Sequence, residues 1–131
     1  MNRIFRSLAL LLLPLMMAAG CTGKQDAALL AAPQVGDLYA AELSHFAEFD
    51  QAGKAYGLMK VVKVDGDAVT VITDSSAWEA PSGANNDLHG DLSAIKWDTE
   101  DELRIARSEL SSLYGQDKIF GVRRMALEAK P

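Results

Sequence analysis

Apolar and polar positions form their clearest pattern between Tyr56 and Thr73. Leu58-Met59-Lys60-Val61-Val62-Lys63-Val64 and Ala68-Val69-Thr70-Val71-Ile72-Thr73 are rich in β-branched residues and flank Asp65-Gly66-Asp67. Two such runs around Asp-Gly predict a β-hairpin with a type I′ turn, which needs positive φ at Asp65 and Gly66. In that register Val64 faces Asp67, Val62 faces Val69 and Lys60 faces Val71. Leu58, Val62, Val69 and Val71 then make the core face, with Met59, Val61 and Ile72 behind it. Apolar groups on both faces predict a sheet that is curled or covered.

The rest of the chain is read against that hairpin. Leu38 to Leu43 places Tyr39, Ala41 and Leu43 on one face and predicts a strand. Ser44 to Gly53 carries His45, Phe46 and Phe49 among polar residues and predicts a loop whose aromatics cap the core. Asp74 to Asp91 is poor in apolar residues and rich in Ser, Asn and Gly, which predicts a long loop interrupted by Trp78. Leu92 to Trp97 alternates and predicts a further strand. Thr99-Glu100-Asp101-Glu102 fits a capping box, with Leu103, Ala106, Leu110 and Leu113 at helical spacing and Gly115 as the stop. A later start at Ser108 would make Leu103 to Ala106 a strand; both readings give helix from Ser108 to Tyr114. Ile119 to Val122 predicts a short strand, and Arg123-Arg124 opens an exposed tail. Strands followed by one helix predict a small α+β domain. Its form is a mostly antiparallel sheet or an SH3-like bent barrel with one helix in the C-terminal half.

The N-terminus changes the picture. Arg3 and Arg6 precede an uncharged run from Leu8 to Ala19, which gives way to the small residues Ala18, Ala19 and Gly20. Charged, apolar, small is the order of a secretory signal peptide. The apolar run falls short of the roughly 20 residues that a spanning helix needs. Ala18-Ala19-Gly20-Cys21 resembles the lipobox of bacterial lipoproteins, with Ala18 where Leu is commonest. The resemblance covers residues 1–21. It implies cleavage after Gly20 and acylation of Cys21, and Thr22 in place of Asp implies the outer membrane, facing the periplasm. The organisation expected is a signal peptide over 1–20, a lipidated cysteine and tether over 21–35, one globular domain over 36–125, and a tail over 126–131. At about 3.5 Å per residue, such a tether reaches roughly 45 Å.

Composition narrows the function. The chain has 131 residues, one cysteine and a net charge of −5. Arg3 and Arg6 leave with the signal peptide, so 11 of the 13 basic residues remain against 18 acidic ones, a net of −7. That balance disfavours nucleic-acid binding, which needs a basic footprint. It suits a basic protein partner. With Cys21 acylated, the mature chain has no thiol for a disulfide or for thiol chemistry.

Candidate chemistry is sparse. Asp87, His89 and Asp91 stand at alternate positions, so an extended segment would project all three from one face as metal ligands. A solvated turn explains the same residues. Asp65 and Asp67 lack the downstream ligand and glycine of an EF-hand loop. No Gly-x-Ser-x-Gly elbow occurs. Trp78, alone among polar residues, is the candidate exposed anchor for a partner. The expectation is a non-catalytic, cofactor-free, lipid-anchored protein-binding module, for example an immunity-type inhibitor. A structural accessory of the envelope is the alternative, and a metal-dependent enzyme centred on His89 is the third reading.

Overall fold

Five antiparallel strands run in the spatial order β4-β3-β2-β1-β5. The structure is a computed structural model and describes residues 21–49 and 51–125. Residues 1–20, expected to be a signal peptide, and 126–131, expected to be a tail, lie outside the described residues. The strands are β1 (Leu38–Glu42), β2 (Tyr56–Val64), β3 (Ala68–Asp74), β4 (Trp97–Ala106) and β5 (Ile119–Arg123). Among the described residues the α-helices are α1 (Cys21–Ala31), α2 (Pro81–Leu88) and α3 (Leu110–Gly115). The chain is thus a small α+β fold. It takes the open-sheet form, because β4 and β5 are edges that pair only with β3 and β1.

The sheet is covered on both faces. One face packs Tyr39, Met59, Val61, Val69, Val71 and Ile105 against Leu30 of α1 and Leu110 and Leu113 of α3. The other packs Leu38, Ala40 and Leu58 against Ala84 and Leu88 of α2. Phe46 and Phe49 lie against the first cluster, as the aromatic loop predicts. Two glycines let the layers approach. A Cβ on Gly121 would sit 2.8 Å from Leu88 Cδ2, and one on Gly57 would sit 2.8 Å from Leu43 Cδ1. Both contacts are closer than carbon atoms pack without displacement.

The hairpin forms with a different register. Val64 pairs with Val69, Lys63 with Thr70 and Val61 with Val71. The turn is therefore centred on Gly66-Asp67, one residue later than the Asp-Gly dipeptide implies. Asp65 Oδ1 accepts from the N–H groups of Asp67 and Ala68, both at 2.9 Å. That side-chain turn replaces the positive-φ turn: the described residues with positive φ are Gly36, Gly53 and Asp117. A bulge between Val61 and Lys63 changes the faces, so Met59 and Val61 join Val69 and Val71 in the core.

Four further expectations are corrected. The loop over 74–91 contains α2, built from poor helix formers. Pro81 starts it at a position that needs no N–H, and burial of Ala84 and Leu88 on one face holds it. Leu92 to Ala94 is a turn of 3-10 helix, and the strand begins at Trp97. Thr99 to Glu102 does not cap a helix. These residues lie within β4, opposite Ile72, where the partner of β3 jumps from Leu103 to Asp98. The alternative start is the one adopted, and the chain after Ala106 turns through Arg107–Glu109 into α3. The stop of α3 is not Gly115 but Asp117, at φ 62. The N–H of Asp117 donates to Tyr114 O and that of Lys118 to Leu113 O, the two bonds of a Schellman cap.

The ends of the described segment are tied in. Residues 21–31, read as a tether, are helical, with Leu30 buried and the Tyr114 hydroxyl donating to Asp26 Oδ2 at 2.9 Å. Arg123 and Arg124 are not a free tail. Arg124 donates from Nε and NH2 to the two oxygens of Asp37, both at 2.8 Å, and from NH2 to Ala32 O. Asp37 is only 1% exposed, and the carboxylate raises the Arg124 pKa further above its usual value.

Candidate interaction surface

Trp78 lies in a largely exposed stretch, residues 75–80, that a backbone bridge ties to β2. Its N–H and C=O pair with the backbone of Tyr56 at 2.8 and 2.9 Å, an isolated bridge beyond the start of β2. The indole is then set by two contacts. Nε1 donates to Asp87 Oδ2 at 2.8 Å, and the ring lies over Gly83, where any Cβ would overlap it. The residue is nonetheless 50% exposed. An aromatic side chain fixed before a partner arrives loses little freedom on binding, which favours it as an anchor.

Hollows flank this ridge. One of about 650 Å³ opens between Trp78, Glu79, Ser82, Gly83 and Asn86. Another of about 390 Å³ lies on the side of Ser76, Ala94 and Ile95. Tyr56 and Pro81 link the ridge to a cleft of about 400 Å³ that also takes in Glu42, Lys54, Lys118 and Phe120. Glu42 is buried there, with Lys118 Nζ at 3.1 Å and Lys54 Nζ at 3.8 Å. Tyr56 and Phe120 meet edge to face at 6.2 Å.

A smaller, acidic hollow of about 250 Å³ contains Asp74, Asp98, Asp101 and Glu48. Asp74 is 4% exposed. Burial raises its pKa, the Ser76 N–H opposes that, and the charge of Asp87 adds to the rise. The acidic hollow and the Trp78–Asp87 pair therefore share one field.

The other residues singled out in the sequence separate from one another. Asp87 is in α2 and serves Trp78. His89 is exposed at the C-cap of α2, where its N–H donates to Asn85 O at 3.3 Å. Asp91 caps the next turn, accepting from Ser93 N at 3.0 Å and Ser93 Oγ at 2.8 Å, which lowers its pKa. The extended segment that would align the three does not exist, because α2 occupies it. Among the described residues no group of three or more His, Cys, Asp or Glu side chains is arranged to hold a metal ion.

Glu42, Lys54 and Lys118 escaped the sequence reading. They are separated along the chain, and only the β1–β5 pairing brings Glu42 beside Lys118. Among the described residues no helix is long and apolar enough to cross a membrane. The chain matches no known protein family, no curated protein and no solved structure.

Proposed function

We propose that this chain is a lipid-anchored envelope protein whose domain binds another protein without transforming it, through the ridge built on Trp78. The observation that carries the reading is the state of Trp78: half exposed, yet locked by Asp87 and Gly83. A large aromatic held rigid between two hollows presents contact area at low entropic cost. The acidic groups beside it, Asp74, Glu79, Asp87, Asp98 and Asp101, fit a partner that offers Lys and Arg. An inhibitor that covers a basic active site is the form of partner recognition that this charge suits best. Cys21 behind Ala18-Ala19-Gly20 supports the anchor, and Thr22 in place of Asp points to the outer membrane.

Affinity capture from envelope extract tests the reading, with wild type and Trp78→Ala as baits. The expected result is a stoichiometric basic protein held by wild type and bound at least about 30-fold more weakly by the variant, the loss of a hot-spot residue. Gly83→Ala, which displaces the ring and leaves it in place chemically, is expected to weaken the same complex. Equal capture by all three folded proteins would overturn the assignment of Trp78.

A further inference from the structure

The antiparallel sheet has two unlike ends. Glu42, Tyr56, Asp74, Trp97 and Ile119 mark one, and Leu38, Val64, Ala68, Ala106 and Arg123 the other. Trp78, bridged to Tyr56, belongs to the first. So does the start of α1. Its last turn sits by the second end, where Ala32 O accepts from Arg124 beside Asp37. Its middle residue, Asp26, accepts from Tyr114, just before the cap that leads into Ile119, so the helix runs from the second end toward the first as it is followed back to Cys21. Cys21 lies five residues before Asp26. That is about 7.5 Å of helix, and about 18 Å even as extended chain.

We infer that, with lipid on Cys21, the domain is held within about 18 Å of the bilayer with its Trp78 end toward it, and that its partner is a basic protein segment at that membrane surface. The inference rests on the lipid anchor of the proposed function. A tether of roughly 45 Å would have left the domain free to turn either end outward. A docked α1 removes that freedom, because Asp26 is held to Tyr114 and Leu30 is buried. Charge then selects the occupant. The Trp78 end carries Glu48, Asp74, Glu79, Asp87, Asp98 and Asp101 against Lys24, Lys54, Lys96 and Lys118. The four described arginines, Arg104, Arg107, Arg123 and Arg124, gather at the opposite end. Anionic headgroups repel the acidic end, so lipid is a poor occupant of the ridge. A membrane-borne protein with exposed Lys and Arg fits it.

The full-length acylated protein, made with Glu79→Cys or Gly66→Cys, carries a single free thiol at one end or the other. Each is labelled with a donor dye and bound to phosphatidylethanolamine–phosphatidylglycerol vesicles with headgroup acceptors. Transfer from position 79 is expected to be at least twice that from position 66. Equal transfer, or more from position 66, would overturn the orientation. Failure of the protein with Cys21 intact to float with vesicles would instead overturn the anchor itself. A benzophenone side chain at position 79 in cells is expected to crosslink a membrane protein; a soluble protein in the adduct would overturn the choice of partner.

Discussion

Tyr39 shows what a single residue costs in this fold. It is fully buried, and its hydroxyl has no hydrogen-bond partner among the described residues. Burial, reinforced by the charge of Asp37, pushes its pKa well above the usual tyrosine value. Replacing an orphan hydroxyl by hydrogen removes a desolvation penalty, so Tyr39→Phe is expected to raise stability by about 1 kcal/mol in urea unfolding. Two carboxylates give opposite pH dependences. Asp65, with the Asp67 and Ala68 N–H groups and Arg104 around it, has its pKa lowered from 3.8 to about 2. The folded state thus binds its proton later than the unfolded chain, and its contribution is lost as pH falls from about 4 toward 2. Asp74 is shifted the other way by burial. Its folded form takes the proton first, so its contribution grows as pH falls into the carboxylate range. Unfolding midpoints against pH should flatten below pH 4 in Asp65→Ala, while Asp74→Asn should gain stability at pH 7 and lose that gain in acid. An Asp65→Ala profile superimposing on wild type would refute the role of the turn.

At the scale of elements, local signals and tertiary pairing compete. The strands β1, β2, β3 and β5 were legible because their apolar content matches a sheet buried on both faces. The helix α2 was not, since Ser82, Asn85, Asn86 and Asp87 favour turns, and it is burial of Ala84 and of Leu88, the latter over Gly121, that makes it helical. Thr99 to Glu102 misled for the converse reason. The capping box is a property of four residues, whereas β3 pairs with Trp97-Asp98 on one side of them and with Leu103 to Ala106 on the other, which holds the four in the strand as an unpaired bulge. The surface around Trp78 was legible as one exposed aromatic. Its fixing by Asp87 and Gly83, and the Glu42 cleft beside it, depend on pairings that no local pattern encodes. The end of α3 gives a further test. Asp117 holds the left-handed position that glycine occupies without strain. Asp117→Gly is expected to stabilise the protein by about 0.5–1 kcal/mol, and Asp117→Val to destabilise it by more than 1 kcal/mol. Equal denaturation midpoints for the two variants would rule out this cap.

Over the whole molecule, the beginning and end of the described chain are clasped. Arg124, after the last strand, reaches both Asp37 and the carbonyl that follows α1. Arg124→Met would leave a carboxylate that is 1% exposed without its cation. Loss of one partner from a buried pair is expected to cost about 3 kcal/mol, read as a lowered melting temperature and as faster amide exchange in α1. A change below about 0.5 kcal/mol would show that the clasp is ornamental to stability. The placement of β1 has a mechanical consequence. It is the first strand in sequence, yet it lies between β2 and β5. A pull applied at residue 21 first peels α1 from Tyr114, then loads the Asp37–Arg124 pair, and then draws on β1. That strand is bonded along both sides, so the force is shared by two ladders that must slip together rather than unzip one bond at a time. A load on residue 21 thus enters the sheet through an interior strand rather than through an edge.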